Sequence, residues 1–383
     1  MRPIAGCSIV SKGGIFCKTQ ENSMFKRINS SALAVVGAAA IAVLPGISAA
    51  QQSLTVASWG GAYTTSQVEA YHKPYTAKTG TKITSVDWGG TLGEISAQVK
   101  SGNVKWDVVD LEAAEALKGC EEGLLEKIDP AKLPPGADGV PAAKDFIPGM
   151  ILPCAIGVIV YSNVVAYDKA KYGANGPKVL DDFFNVAKFP GKRGLKKDPS
   201  VTLEWALMAD GVAVGDVYKV LATPAGVERA FKKLDTIKSS IVWWTAGAQP
   251  PQLLASGEVV MTHTWHGRIV DANVKEKKDF ALVWDGQIQI PDLYAIIKGT
   301  KNLDAAQDFV RFASSSQPLA DQAKYIPYAP TRNSSLALIP ASNPNRAYLP
   351  NAGHPGRSMS TNSRFWMENQ DDLNKKFAAW LAK

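Results

Sequence analysis

The chain has 383 residues, enough for two compact lobes, and its 46% hydrophobic and 20% charged residues are ordinary for a globular protein. The formal net charge is +7, yet Lys and Arg form no dense stripe with interleaved aromatic residues. The densest basic cluster, within residues 192–197, is typical of a solvated loop, so the charge pattern argues against a nucleic-acid partner.

The first fifty residues have the pattern of a secretory signal peptide. Residues 25–27 are a positive segment (Phe-Lys-Arg), residues 32–44 are apolar, and residues 48–50 (Ser-Ala-Ala) supply small side chains for cleavage after position 50. Met24, just before the positive segment, is an alternative start. The apolar run is too short to span a bilayer comfortably. Removal of residues 1–50 during export to the periplasm takes away five basic residues and one acidic residue and leaves a net charge of +3.

Two of the four cysteines, Cys7 and Cys17, are expected to leave with the signal peptide. The remaining pair, Cys120 and Cys154, predicts one disulfide in an exported protein. Closing that loop stabilises the fold by roughly 3–4 kcal/mol in the chain-entropy model. Neither cysteine has a His or another Cys at metal-ligand spacing, and no Cys follows the apolar run as a lipid-attachment site. We expect a soluble monomer with no metal and no cofactor.

Strand and helix patterns alternate through the first part of the mature chain. We predict, in chain order, a strand at 54–57, a helix capped within 64–66 and ended by Gly80, a strand at 82–86, a helix over 92–102, a strand at 107–111 and a helix at 113–120. Pro74 interrupts the first helix and is expected to kink it. This order favours a doubly wound α/β lobe.

The rest of the chain shows the same alternation of predicted strands and helices. The predicted strands lie at 156–161, 241–244, 259–264, 280–284 and 293–297. The predicted helices begin at Pro224 behind a Thr223 cap, after Gln249, behind an Asn302 cap and near Trp366. Segments rich in Pro, Gly and Asn predict loops at 134–141 and 327–350.

Six segments together resemble the family of solute-binding proteins of ABC importers that serve polyamines such as spermidine and putrescine. They are, in order, 54–63 with its Ser-Trp-Gly-Gly-Ala-Tyr loop, 105–110 (Lys-Trp-Asp-Val-Val-Asp), 122–129, 189–194 (Phe-Pro-Gly-Lys-Arg-Gly), 254–267 ending in Trp-His-Gly, and 291–296. Their order and spacing extend the resemblance over nearly the whole mature chain.

The resemblance implies a type II periplasmic-binding-protein fold, an α/β fold whose two doubly wound lobes are joined by two crossover strands. It places those crossovers near 156–161 and 284–293. Lobe 1 then consists of residues 51–155 and 294–383, and lobe 2 of residues 156–293. It also implies that a ligand binds in the cleft, that a hinge closes on it, and that an inner-membrane permease receives it.

The resemblance and the strand-end positions together predict a ligand site of aromatic rings and carboxylates. The candidates are Trp59, Tyr63, Asp198, Trp243 or Trp244, Trp265 and Asp292. Only one of the adjacent tryptophans can face the cleft, because successive strand residues point to opposite faces. Such a site suits an ammonium ligand, since a cation–π contact contributes about 0.5–2 kcal/mol and a charge-assisted hydrogen bond about 1.5–3 kcal/mol. The expected ligand is a polyamine-like amine.

Some of these positions also have ordinary structural interpretations. Asp198 precedes a helix, where an acid interacts favourably with the helix dipole. A tryptophan on a strand usually belongs to the core, and we expect that of Trp106, Trp205 and Trp284. Trp88, which follows the second strand, is left open between core and site.

Two positions depart from the polyamine pattern. Val201 stands where polyamine binders carry a second acid, and Arg268 stands where some relatives carry one. An arginine in the cleft repels a polyamine and attracts a carboxylate or phosphonate. If Arg268 faces the cleft, the alternative ligand is a zwitterionic or anionic solute such as an amino acid or an aminophosphonate.

A metal site, an enzyme and a ferric-ion binder are alternative functions, and each would need particular residues in the sequence. His263 and His266 are three apart, which on a strand places them on opposite faces and makes no two-histidine metal site. The sequence has no Gly-x-Ser-x-Gly elbow and no phosphate loop, so we expect no enzyme activity. Ferric-ion binding through Tyr325 and Tyr328 is also considered, and the lack of an adjacent tyrosine pair weakens it.

Overall fold

The computed structural model describes residues 52–383. The predicted signal peptide at 1–50 lies outside these described residues. No helix between residues 52 and 383 combines the length and the apolar character needed to cross a membrane.

The described strands join in one mixed sheet. In chain order they are β1 (Ser53–Ser58), β2 (Lys82–Asp87), β3 (Val108–Glu112), β4 (Ile151–Leu152), β5 (Ala155–Asp168), β6 (Arg193–Lys196), β7 (Ile241–Trp244), β8 (Met261–Trp265), β9 (Phe280–Ile296), β10 (Ala329–Pro330) and β11 (Ser358–Ser360). Across the sheet the order is β2-β1-β3-β9-β5-β8-β6-β7, with β4 and β10 paired to β5 and β11 paired to β9.

The described α-helices pack against this sheet and one another. They are α1 (Gly61–Gln67), α2 (Lys73–Thr79), α3 (Leu92–Ser101), α4 (Ala113–Glu121), α5 (Ala142–Asp145), α6 (Lys169–Tyr172), α7 (Leu180–Phe184), α8 (Thr202–Ala209), α9 (Val217–Leu221), α10 (Pro224–Asp235), α11 (Gln249–Ser256), α12 (His266–Lys275), α13 (Leu303–Ala313), α14 (Ser316–Gln322), α15 (Asn333–Leu338) and α16 (Ser363–Leu381). A π-helical turn, Val68–His72, connects α1 and α2.

Two long strands, β5 and β9, run antiparallel and are shared by both halves of the sheet. Their register extends from Ala155 opposite Ala295 to Asp168 opposite Phe280, with two irregularities. The parallel strands β2, β1 and β3 attach to one end of this pair through β3 and β9. Strands β8, β6 and β7 attach to the other end through β8 and β5. The predicted α/β fold with two lobes and two crossover strands is confirmed.

The strands predicted at 280–284 and 293–297 are parts of one continuous strand, so that division was wrong. Gly286 and Pro291 lie in its middle and have the sequence character of a break. Gly286 adopts a left-handed backbone (φ 83°) and leaves room for Leu180, whose Cβ would lie 2.7 Å from a Cβ at position 286. The neighbours β5, β3 and β11 pair with β9 along its length and hold it as one strand.

The first helix begins earlier than predicted, because its N-cap is Gly60 and not one of the residues 64–66. Gly60, at φ 70°, turns the chain out of β1, and its N–H donates to Thr64 Oγ1 at 2.9 Å. The interruption predicted at Pro74 takes the form of the π-helical turn just before it. Because proline has no N–H to donate, the regular ladder cannot continue through that position. Gly80 ends the helix in the left-handed conformation, as predicted.

Two further contacts tie distant parts of the chain together. Cys120 and Cys154 form the predicted disulfide, with their Cα atoms 5.6 Å apart. The C-terminal helix α16 contacts segments assigned to both lobes. Gln370 Nε2 donates to Glu115 Oε1 at 2.9 Å, and Trp366 Nε1 donates to Glu204 Oε1 at 2.7 Å.

Candidate functional site

Seven side chains close around a small cavity where the lobes meet the crossover strands. They are Trp59, Tyr63, Tyr161, Trp265, Arg268, Asp292 and Tyr328, and we call this cavity the inner box. Five of them are aromatic, one is a guanidinium and one is a carboxyl. An aromatic enclosure with a few converging polar groups is typical of a small-molecule site. In this structure the inner box has a volume of about 10 Å³, the space of about one water molecule, so an organic ligand requires its walls to move apart.

The turn after β1 supplies Trp59 and Tyr63. Gly61 sits in the left-handed region at φ 56°, and a Cβ there would lie 2.7 Å from Arg268 Nη1. A glycine at this position therefore lets the turn approach the guanidinium of the other lobe. Tyr63, on α1, is anchored by donating its hydroxyl to Asp110 Oδ2 at 2.8 Å.

The end of β8 supplies Trp265, which meets Trp59 across the cleft. Their ring centroids are 6.1 Å apart in an edge-to-face arrangement, and Tyr161 lies 5.9 Å from Trp265. A Cβ at Gly247 would lie 2.2 Å from the Trp265 ring, so the lack of a side chain there makes room for the indole. Aromatic pairs with this geometry add about 0.5–1.5 kcal/mol beyond burial.

Arg268, on the first turns of α12, faces the cleft and is buried. Its Nη1 donates to the carbonyl of Gly60 at 2.7 Å and its Nη2 to that of Trp59 at 3.2 Å. Within residues 52–383 its Nε has no hydrogen-bond partner. The guanidinium also lies 5.4 Å from the centre of the Trp265 ring. Arg268 is therefore placed where a zwitterionic or anionic ligand would need it.

Asp292, on β9, is the carboxyl of the inner box. It pairs with Glu112 of β3 and Ile159 of β5 and is almost fully buried. Its Oδ1 finds no hydrogen-bond partner in the described chain. Burial raises its pKa well above the ordinary value, and repulsion from Asp110 and Glu112 raises it further. A buried, under-satisfied carboxyl at a cavity wall is a strong acceptor for a ligand cation.

Two inner-box residues, Tyr161 and Tyr328, were not among the candidates for the cleft, although Tyr328 was considered for ferric-ion binding. Tyr161 lies inside a crossover strand and donates its hydroxyl to Glu112 Oε1 at 2.8 Å. Tyr328 comes from a segment predicted as a loop, and its ring lies 5.4 Å from that of Tyr63. Burial raises the pKa of Tyr63, Tyr161 and Tyr328, the three tyrosines of the inner box, so they remain neutral phenols that can form hydrogen bonds.

A wider cavity of about 610 Å³, which we call the outer cleft, shares Trp59 and Trp265 with the inner box. Its polar lining includes Glu112, Glu115, Asp198 and Lys196. Burial raises the pKa of Glu115 to about 8 and also raises that of Glu112. Both glutamates lie at or just after the end of β3, so the same strand-end rule that selected Trp59 would have found them.

The structure gathers most of the predicted site residues. Those in the inner box are Trp59, Tyr63, Trp265, Arg268 and Asp292. Asp198 lies in the outer cleft, where it pairs with Lys196 at 3.1 Å. Val201, the other departure from the polyamine pattern, is buried in the core at the start of α8.

The two adjacent tryptophans point to opposite faces, as strand geometry requires. Trp244 packs behind Trp265, with their centroids 5.9 Å apart, and supports the inner box from outside. Trp243 packs on the C-terminal helix, 5.6 Å from Phe377 and 6.1 Å from Trp380. Because that contact faces away from the cleft, the structure places Trp243 outside both cavities.

The four remaining tryptophans considered above differ in location: one lines the outer cleft, one is in the core and two are half-buried. Trp88 lines the outer cleft, and its Nε1 donates to the carbonyl of Asp110 at 3.1 Å. Trp205 is a core residue, fully buried with its Nε1 on the carbonyl of Gly286. Trp106 and Trp284 are only half-buried.

The four histidines hydrogen-bond to groups other than carboxylates. Their partners are Ser85 for His72, Asn163 for His263, the backbone of Ser162 and Pro327 for His266, and the carbonyl of Leu349 for His354. Among residues 52–383, no group of three His, Cys, Asp or Glu side chains is arranged to hold a metal ion.

Two lobes that share a strand pair, with a buried polar and aromatic site between them, are the architecture of a solute-binding protein. The chain belongs to the family of bacterial extracellular solute-binding proteins, whose sequence model matches residues 70–347. It is 42% identical to the gamma-aminobutyric acid-binding protein of Pseudomonas aeruginosa over 360 residues, which cover 94% of this chain and 97% of that protein.

Solved structures agree with this assignment. The Atu4243-GABA receptor is 33% identical, with a TM-score of 0.74, over 87% of this chain and 98% of that one. The binding protein MotA of A. tumefaciens B6, solved in complex with glucopine, is 30% identical, with a TM-score of 0.79, over 86% of this chain and all of that one. This protein is thus the solute-binding component of an ABC transporter.

Proposed function

We propose that this protein captures a linear amino acid with a terminal ammonium group, of the γ-aminobutyrate (GABA) type, in the periplasm and delivers it to an inner-membrane ABC permease. One observation carries the proposal: Arg268 and Asp292 line the same buried box. A site with one fixed guanidinium and one carboxyl that can ionise beside an ammonium matches a ligand that carries one charge of each sign.

The charges of the box assign a place to each end of such a ligand. Arg268 Nε, which lacks a partner in the described chain, is the donor for the ligand carboxylate. Asp292 Oδ1, equally unpartnered among residues 52–383, is the acceptor for the ligand ammonium. Hydrogen bonds to charged groups contribute about 1.5–3 kcal/mol each, so each end is worth roughly a tenfold to hundredfold gain in affinity.

The comparisons support this ligand class over a polyamine. Two relatives, at 42% and 33% identity, are named for GABA. The polyamine expectation came from the family resemblance and from an aromatic box with carboxylates, and the structure contains such a box. Arg268 inside that box weakens it, because a buried guanidinium repels the second ammonium of a diamine.

An enzyme and a ferric-ion binder have less support. For an enzyme, the four histidines offer no His–Asp pair within the described residues. For a ferric-ion binder, Tyr325 is exposed, and burial raises the pKa of the box tyrosines and so disfavours the phenolate that binds iron. We therefore propose a binding protein without catalytic activity. The signal-peptide pattern at 1–50 is what supports the periplasmic location.

Closure follows from where the box residues lie. Trp59 and Tyr63 belong to the lobe built on β1, whereas Trp265 and Arg268 belong to the lobe built on β8. A ligand in the box contacts both sets only when the lobes approach. It therefore shifts the population toward the closed form.

The proposal is tested by calorimetry with ligands that lack one charge at a time. GABA should bind to the mature chain, whereas butylamine, without the carboxylate, and butyrate, without the ammonium, should each bind at least tenfold more weakly. Putrescine replaces the carboxylate by a second ammonium and should also bind weakly. If putrescine bound more tightly than GABA, the polyamine interpretation would replace this one.

A further inference from the structure

The outer cleft contains a lysine whose position the sequence did not single out. Lys196 is the last residue of β6, and its ammonium lies 3.1 Å from Asp198 Oδ2 and 5.8 Å from the centre of the Trp265 ring. Glu112 and Glu115 line the same cleft. The lysine ammonium is thus surrounded by three carboxyls and an aromatic ring.

That environment is what a ligand ammonium would need. Cations bind to aromatic faces and to buried carboxylates through the same two interactions, whether they belong to a ligand or to a side chain. Burial alone lowers the pKa of Lys196, but Asp198, Glu112 and Glu115 together raise it above its ordinary value, so the amine stays charged. The positive charge of Lys196 also favours the ionised form of Asp292, and so it partly offsets the rise in the pKa of that carboxyl.

The carboxyls of the site outnumber its cations. Asp292 and Asp110 adjoin the inner box, and Asp87, Glu112, Glu115 and Asp198 adjoin the outer cleft, against Arg268, Lys196 and the exposed Lys197. Without Lys196, the exposed Lys197 would be the cation left along the outer cleft, and Glu112, Glu115 and Asp198 would lose the ammonium that lies 3.1 Å from Asp198. A diamine with one end on Asp292 would then find a second ammonium site within the same cavity system.

We propose that Lys196 is a specificity-determining residue: its ammonium occupies the second cation position of the cleft and thereby excludes diamines. This inference rests on the proposed function, since it concerns why a site rich in carboxyls accepts a ligand with a single ammonium. The lysine is tethered by its own chain, so a free diamine must displace a neighbour of very high effective concentration.

The test compares putrescine and GABA binding by calorimetry in Lys196→Met, Lys196→Arg and the wild type. Lys196→Met removes the charge at similar side-chain length and should strengthen putrescine binding at least tenfold, while GABA affinity changes less than fivefold. Lys196→Arg keeps a cation in place and should leave putrescine binding as weak as in the wild type. Lys192→Met is the control for net charge, because Lys192 is exposed and precedes the same strand.

The outcomes separate this inference from the proposed function. If the wild type binds GABA but Lys196→Met gains no affinity for putrescine, the role of Lys196 is overturned and the proposed function stands. If the wild type binds neither GABA nor another amino acid of that type, the proposed function fails first. If Lys192→Met gained as much affinity for putrescine as Lys196→Met, the gain would be an effect of net charge alone. That result would also overturn the inference. Thermal melting shows whether each variant is folded, and Lys196→Gln replaces any Met variant that is not.

Discussion

Arg268 and Gly60 belong to different lobes and are joined by a hydrogen bond of 2.7 Å from the guanidinium Nη1 to the glycine carbonyl. A second donor of the same side chain reaches the Trp59 carbonyl. The arginine therefore does two things at once: it holds the lobes together through backbone acceptors, and it keeps Nε for the cavity. Closure and ligand recognition thus depend on the same side chain.

Replacing this arginine should remove recognition of the ligand carboxylate. We expect Arg268→Met to weaken GABA binding at least a hundredfold and butylamine binding at least tenfold less than that, since butylamine has no carboxylate to lose and is affected only through the lost hydrogen bonds to the carbonyls of Gly60 and Trp59. Isothermal titration calorimetry measures both. Arg229→Met is the matched control, because Arg229 is exposed and pairs with Asp210. Equal losses for the two ligands would show a general loss of structure rather than of carboxylate recognition.

Trp265 and Trp243 face opposite sides of the second lobe. Replacing each in turn gives a paired test of the aromatic wall of the inner box. Trp265→Ala should weaken GABA binding at least tenfold, because it removes the ring that meets Trp59 and contacts the cationic groups. Trp243→Ala removes an equally large side chain from the face that packs on α16 and should change GABA affinity less than threefold. Unchanged affinity in Trp265→Ala would take this residue out of the site.

Ligand affinity should depend on pH through Asp292. Burial raises the pKa of this carboxyl, and the neighbouring acids raise it further, so its ionised form is less favourable here than in water. An ammonium pairs with the ionised form, so binding must release a proton and affinity must fall as pH decreases. Calorimetry from pH 8 to pH 5, in buffers with different heats of ionisation, measures both effects. Asp292→Asn should bind weakly at every pH, and a pH profile as steep as that of the wild type would contradict this role.

The stability of the free protein should also vary with pH, in the opposite sense. Burial raises the pKa of Asp110 to about 7, that of Glu115 to about 8 and that of Glu204 to about 7. A carboxyl whose folded pKa is raised contributes stability that is complete below its unfolded pKa and is lost as pH rises through the folded value. Burial lowers the pKa of His72 and of His266 to about 4, which gives the opposite trend below the ordinary histidine value of 6.5. We therefore expect the melting temperature to fall between pH 6.5 and pH 8.5.

Glu204 isolates part of this dependence, because it lies away from both cavities and accepts hydrogen bonds from Trp366 and Tyr218. Glu204→Gln keeps an acceptor and cannot ionise. It should raise the melting temperature at pH 8.5 by on the order of 2–6 °C and change it little at pH 5. Glu258→Gln, at an exposed position, is the control. An equal shift at both pH values would rule out ionisation as the cause.

The disulfide should stabilise the fold without contributing to the site. Cys120 and Cys154 are 34 positions apart, and closing such a loop is worth roughly 3–4 kcal/mol. The double variant Cys120→Ala, Cys154→Ala should lose about that much in urea unfolding and keep its GABA affinity at 25 °C within threefold. Wild-type protein under reducing conditions should behave the same way. An unchanged unfolding midpoint would contradict the expected contribution.

Strand ends were the most informative part of the sequence. Trp59, Trp265 and Asp198 each follow or end a strand, and parallel strands bring such positions to one edge of a sheet. The alternation of strand faces separated Trp243 from Trp244, although it left open which of them faces the cleft.

The remaining site residues needed the folded structure. Tyr161 lies inside a strand that is buried on both sides, so its sequence context is that of a core residue. Tyr328 comes from an irregular segment and reaches the box through tertiary contacts with Tyr63, Tyr161 and His266. The continuity of β9 through Gly286 and Pro291 depends on partners far away in sequence, which local pattern cannot supply.

The most direct test of the central claim is a crystal structure of the mature protein with GABA. We expect the ligand inside the inner box, with its carboxylate on the guanidinium of Arg268 and its ammonium on the carboxyl of Asp292, between the Trp59 and Trp265 rings. A ligand bound elsewhere, or one turned so that its carboxylate points away from Arg268, would contradict the assignment of these two charges.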